Sequence, residues 1–203
     1  MPPLTTYLTL IALTALTSTT WIPLPFLSLI TTSTLTTAYP TTTSPSTSLD
    51  AILTSITTLA TDYTTLNTAI NHFNGTQTQY FQILACELTV ETSIQHVIAV
   101  TTTSTPLDTH QSQQVLEALK LPYPGFMRDV LGDVADKAEC FAEVGRTEDV
   151  IAVLRTLKEL SDELVEAVQG KVVERVAEEV GSGKVWVDGL FEETIRWMSM
   201  SMS

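Results

Sequence analysis

The stretch Leu49-Asp-Ala-Ile-Leu-Thr-Ser-Ile-Thr-Thr-Leu-Ala-Thr-Asp-Tyr-Thr-Thr-Leu-Asn-Thr-Ala-Ile-Asn-His-Phe73 decides the fold of this chain. Leu49, Ile52, Leu53, Ile56, Leu59, Ala60, Tyr63, Leu66, Ile70 and Phe73 recur at intervals of three and four, the spacing that gathers side chains on one face of a helix. The polar positions between them are mostly threonine, a weak helix former because its branched Cβ restricts χ1. Burial of the apolar face, rather than local propensity, must therefore hold this helix. Thr47-Ser-Leu-Asp50 has capping-box spacing and predicts the start of the helix, and Asn74-Gly75 predicts the turn that ends it.

Working outward, the same periodicity recurs. Tyr80, Phe81, Leu84, Leu88, Ile94, Val97 and Ile98 predict a second helix returning along the first, broken near Thr101-Thr-Thr-Ser-Thr-Pro106. Asp108 is placed to cap a short third helix carrying Val115, Leu116 and Leu119, which Pro122-Tyr-Pro124-Gly125 stops. A fourth helix is expected through Phe126, Val130, Leu131, Val134, Ala138, Phe141 and Val144, with Gly145 closing it. A fifth opens at Thr147-Glu148-Asp149 and runs through Leu154, Leu157, Leu160, Leu164 and Val168. Beyond Gly170 the period continues to Val180, as one bent helix or as two. Gly181-Ser-Gly183 predicts a firm break before a terminal helix with Trp186, Leu190, Phe191, Ile195 and Trp197. The expected fold is all-α: an antiparallel bundle of about five or six amphipathic helices over residues 49–200.

Upstream, two apolar runs, Leu4–Leu16 and Trp21–Ile30, each have the length of a signal-peptide core, and residues 1–38 are read as a signal peptide, with a signal anchor as the alternative. Residues 39–48 read as a Thr/Ser/Pro-rich linker. The formal charge of -13 excludes the basic footprint that nucleic acid requires. All 10 Lys and Arg residues lie from Lys120 onward, so the first half owes its solubility to hydroxyl and amide groups, a composition suited to a secreted or cell-wall glycoprotein. Asn74-Gly75-Thr76 is an N-glycosylation sequon as well as a turn signal. The end, Trp197-Met-Ser-Met-Ser-Met-Ser203, lacks the hydrophobic tail of a GPI signal.

Little in the sequence suggests chemistry. His72, His96 and His110 lack metal-ligand spacing, so neither a metal nor another cofactor is expected. Gly181-Ser-Gly183-Lys184 is too short for a phosphate loop, and Glu178-Glu179 and Glu192-Glu193 read as solvated charge. No catalytic residue is assigned, and the chain is read as not an enzyme. Cys86 and Cys140 leave two readings open: a disulfide, contributing about 3 to 4 kcal/mol through loop closure, or two separately buried thiols.

The pattern of Leu49–Ile70, the Phe73-Asn-Gly75 turn, the Thr-rich second helix, Lys137-Ala-Glu-Cys-Phe141 and Val153-Leu-Arg-Thr-Leu-Lys-Glu-Leu-Ser-Asp-Glu-Leu164 resembles the fungal hydrophobic surface binding protein A and cell-wall galactomannoprotein family. The resemblance implies a secreted or wall-associated helical bundle without enzymatic activity. It also implies adsorption to hydrophobic surfaces, recruitment of secreted hydrolases, and fatty-acid binding between helices. The leading expectation is thus binding of lipids or hydrophobic surfaces in an apolar interhelical cavity, with Ile56, Tyr63, Leu84, Leu88, Phe141, Leu157 and Leu164 as wall residues and the Tyr63 hydroxyl as a candidate for a carboxylate head. The alternative is a structural wall mannoprotein or secreted interaction protein with a dry core, whose partners would include cell-wall polysaccharide or a secreted hydrolase.

Overall fold

The computed structural model describes residues 45–200. The readings of residues 1–38 and of the first part of the 39–48 linker fall outside it. Among the described residues there is no strand; the chain forms α1 (Pro45–Asn71), α2 (Gln77–Thr103), α3 (Thr109–Leu119), a kinked π-turn (Leu121–Phe126) in which Tyr123 is extended at φ -136° and ψ 131°, α4 (Met127–Asp136), α5 (Ala138–Glu143), α6 (Thr147–Gln169) and α7 (Glu174–Met200). The all-α expectation holds. α1 starts at Pro45, so Thr47–Asp50 lies inside the helix and the end of the expected linker is its first turn; proline is well tolerated there because a first-turn N-H has no helical acceptor.

The helices close into a ring: α1 packs on α2, α2 on α6, α6 on α7, α7 on α4, and α4 back on α1. The inward faces form one core, in which Ile52, Ile56, Leu59, Tyr63, Phe73, Phe141 and Phe191 are fully buried. On α1 the exposed threonines satisfy themselves locally: Thr57, Thr58, Thr61, Thr64, Thr65 and Thr68 each donate Oγ to the carbonyl four residues back, at 2.8–3.1 Å. The α1–α2 turn uses Gly75 at φ +83°, a conformation glycine adopts without cost. Thr76 then caps α2 by accepting from the Gln79 N-H. Asp108 and Gln111 make the reciprocal capping box of α3 at 2.8 and 3.0 Å.

Two expectations fail in the second half. The predicted fourth helix is divided at Lys137 into α4 and α5. Ala138 and Phe141 are turned inward, and Phe141 stacks on Phe73 with ring centroids 4.6 Å apart. The break expected at Gly181-Ser-Gly183 does not occur, and α7 passes through it. Packing against α6 outweighs the glycine penalty here. Gln169 Nε2 donates to the Ala177 carbonyl at 2.9 Å, and a Cβ at Gly181 would lie 2.9 Å from that same nitrogen, so this glycine admits a neighbour rather than making a turn. Lys158 and Lys184 on α6 and α7 pair with both Asp162 and Asp188, tying the two helices along this stretch. The true interruption precedes it, at Gly170–Val173, where Leu107 N-H donates to Lys171 O (2.7 Å), Lys171 Nζ to Ser104 O (2.8 Å) and Val173 N-H to Ser112 Oγ (3.1 Å).

Two stability predictions follow from this packing. Gly183 sits inside a continuous helix, and a methyl group added there would have no neighbour within 4 Å, so Gly183→Ala should raise the unfolding free energy measured in urea by about 0.5 to 1 kcal/mol; a break at this position would give no gain. Phe141→Ala should cost about 3 to 5 kcal/mol in the same measurement.

Candidate functional site

Two apolar cavities lie along α6. The outer one, about 240 Å³, is lined by Leu116, Leu119 and Lys120 at the end of α3, Tyr123 and Pro124 of the π-turn, Leu164, Val165 and Val168 of α6, and Val180, Gly183, Lys184 and Val187 of α7. The inner one, about 40 Å³, lies inside the ring, against Tyr63, Leu66 and Ile70 of α1, Tyr80, Ile83, Leu84 and Glu87 of α2, Leu131 of α4, Phe141 of α5, Leu154 and Leu157 of α6, and Phe191 of α7. On α6 the inner wall spans Val150 to Leu157 and the outer wall Leu164 to Val168, a run of about 27 Å from end to end.

Between the two walls sits a cluster of hydroxyls. Tyr63 OH of the inner wall meets Tyr123 OH of the outer wall at 3.1 Å; Tyr123 OH also contacts Ser161 Oγ at 3.2 Å, and Ser161 donates to the Leu157 carbonyl at 2.8 Å. The two rings meet edge to face, with centroids 6.0 Å apart. Burial raises the pKa of both phenols, so they stay neutral donors and acceptors. Tyr123 is held in this position by the proline-rich turn Leu121–Phe126, whose sequence indicates only a helix stop.

The polar groups at the outer cavity are paired. Lys120 contacts Glu117 at 2.9 Å and Glu179 at 3.2 Å, joining the end of α3 to α7. Glu179 reaches this junction while remaining solvated, its side chain 53% exposed. In the inner cavity Glu87 is the exception: it is 7% exposed, and its Oε1 has no hydrogen-bond partner. Burial, with the neighbouring Glu91 carboxylate, pushes the Glu87 pKa up to about 8. Beside it, Tyr80 OH donates to Asp149 Oδ2 at 3.3 Å while the Arg146 guanidinium lies over its ring.

Of the predicted wall residues, Tyr63, Leu84, Phe141 and Leu157 line the inner cavity and Leu164 the outer one. Ile56 is buried in the core but on neither cavity wall. Leu88 is 51% exposed, and Phe81 is exposed as well. The inward positions of α2 are Tyr80, Ile83, Glu87, Val90, Ile94, Val97 and Thr101, a strict three-four repeat that carries a carboxyl group where hydrophobicity alone selects the next residue. Cys86 and Cys140 are free, partly buried thiols here. Asn74 is exposed in the α1–α2 turn. Sequence reasoning missed Glu87, Tyr123 and Ser161; the spacing of Glu87 from Ile83 and Val90 was the one available signal.

The fold is shared with lipid-bound proteins of known structure. The crystal structure of AFMP4P in complex with palmitic acid superposes with a TM-score of 0.72 at 25% identity, covering 74% of this chain and 99% of that one. Ligand binding domain 1 of Penicillium marneffei MP1 protein, complexed with arachidonic acids, gives 0.68 at 12% identity over 74% of this chain and 98% of that one. Ligand binding domain 2 of the same protein, complexed with multiple arachidonic acids, gives 0.68 at 16% identity over 74% and 95%. A search of curated protein sequences returned no match. The family described as Hydrophobic surface binding protein A matches residues 49–170, more than half of the chain. The chain belongs to the hydrophobic surface binding protein A family.

Proposed function

We propose that this chain is a non-enzymatic binder of long-chain, fatty-acid-like molecules, taken up along the apolar path between α3, α6 and α7 and onward into the ring. The observation that carries this reading is the outer cavity of about 240 Å³, walled by aliphatic side chains and abutting the inner cavity at the Tyr63–Tyr123 contact. That volume is close to the lower bound of about 300 Å³ for ligand pockets and suits a single slender chain better than a ring system. Each methylene buried there contributes about 0.8 kcal/mol. The likeness to AFMP4P, solved in complex with palmitic acid, supports the choice of ligand. The polar groups along the path are the Tyr63, Tyr123 and Ser161 hydroxyls, the Glu87 carboxyl and, at the outer rim, Lys120, Lys184 and Glu179 in ion pairs, a set that suits anchoring rather than bond making.

A second activity, adsorption to hydrophobic surfaces, is favoured by apolar side chains that nothing covers: Phe81 and Leu88 on α2, and Val185, Trp186, Trp197 and Met200 on α7. In this reading the protein works outside the cell, with the exposed Asn74 sequon glycosylated. Cell-wall polysaccharide and secreted hydrolases belong to the same proposal as partners brought to such a surface.

The two activities separate by mutation. Val165→Trp fills the outer cavity and should lower palmitic-acid affinity at least tenfold by fluorescence displacement, whereas Leu88→Ala should leave it within twofold; equal affinities for all three proteins would defeat the cavity reading. Trp186→Ser combined with Trp197→Ser should reduce adsorption to octadecyl-coated beads while leaving palmitic-acid uptake unchanged. Retention of bead binding by that variant would remove these tryptophans from the adsorbing surface.

A further inference from the structure

The two cavities differ in what they can hold. At the outer one, each ammonium group is already engaged by two carboxylates, Lys120 by Glu117 and Glu179 and Lys184 by Asp162 and Asp188. At the inner one, a single carboxyl oxygen, Glu87 Oε1, is buried with no partner, on the wall of a space of about 40 Å³. A buried polar atom left unpaired costs free energy, and what supplies the missing partner recovers it. Glu87 occupies the inward position between Ile83 and Val90, both packed in the core.

We propose that Glu87 anchors the polar end of the acyl ligand. A carboxylic acid enters head first, seats its carboxyl against Glu87 in the inner cavity, and leaves its chain running past the Tyr63–Tyr123 pair into the outer cavity. This inference rests on the fatty-acid reading above. Two carboxyl groups satisfy each other: the protonated one donates its O-H and the other accepts. With its pKa at about 8, Glu87 holds its proton at neutral pH; a hydrogen bond to Glu91 engages that proton in the free chain, and the entering carboxylate takes the place of Glu91 as its acceptor. The titratable groups facing it are Glu91 and Tyr80 on α2, Tyr63 across the cavity on α1, and Arg146 and Asp149, which hold Tyr80 at the start of α6. A head the size of a phospholipid's does not fit the inner space, so the class selected is the free acid.

The test compares palmitic acid with methyl palmitate, the same chain without an acid group, on the delipidated full chain at pH 6 and pH 9.5. The wild type is expected to prefer the acid at least tenfold at pH 6 and to lose at least tenfold of that affinity at pH 9.5. Glu87→Gln, which keeps a neutral donor, should bind the acid within threefold of wild type at pH 6 and lose most of the decline at pH 9.5. Glu87→Leu should still take up methyl palmitate, which also reports that it is folded, but lose the preference for the acid. Wild-type preference and pH profile in both variants would overturn the anchor while leaving the fatty-acid reading standing. Loss of the preference in Lys120→Ala/Lys184→Ala instead would likewise overturn it and place the head at the outer rim. A wild type that takes up neither ligand overturns both proposals together. Without ligand, the folded chain holds the Glu87 proton between about pH 5 and pH 8 while the unfolded chain releases it, so the wild-type urea midpoint should fall across that window relative to Glu87→Gln; parallel curves would show an ionised carboxyl and sink the anchor.

Discussion

Three hydroxyls meeting in a largely apolar interior join three separate segments of this bundle. Tyr63 from α1, Tyr123 from the π-turn and Ser161 from α6 satisfy one another at 3.1–3.2 Å, and so draw together three segments far apart in sequence. A buried phenol without a partner would be costly, which fixes the position of each ring tightly. The π-turn is thereby held against α1 while α4, which follows it directly, packs on α1 and α7 and closes the ring. The same cluster stands between two cavities of unequal size, and its phenols remain neutral.

That division separates two kinds of burial. Around Ile52, Ile56, Leu59 and Phe73 the core is solid, and its role is to hold the ring shut. Along α6 the packing is relaxed into open space, so apolar surface that could have stabilised the fold is left uncovered. The ties that offset this lie outside the cavity: the Lys158, Lys184, Asp162 and Asp188 network and the Gln169 bond to Ala177 bind α6 to α7 beside the opening. Ion pairs this close to solvent contribute modestly.

Much of this was legible in the sequence wherever one face of a helix was apolar and the other polar. The three-four spacing of Leu49 to Phe73 and of Val150 to Val168 located α1 and α6, and Asp108 and Gly145 marked boundaries that the structure bears out. Reading failed where tertiary contacts overrode local signals. Gly181 resembled a turn residue, yet it is small because Gln169 approaches there. Leu88 resembled a wall residue, yet the phase of α2 is set by contact with α1 and α6 and turns Glu87 inward instead. A buried carboxyl group runs against every hydrophobicity rule, so Glu87 is the inward residue that pattern reading was least able to choose. Tyr123 was hidden for a different reason: prolines announce where a helix stops but not where the side chain between them will point.

The threonines of α1 have an interfacial consequence. Because Thr57, Thr58, Thr61, Thr64, Thr65 and Thr68 turn their hydroxyls back onto the helix, what they offer to the outside is mainly methyl groups, on a surface with almost no ionic charge. Salt has little to screen on such a face, so its wetting is set by methyl density rather than by ionic strength. Electrolyte can alter the wetting of this face only through the solvation of its methyl groups, whereas the acidic residues beyond Lys120 respond to screening directly.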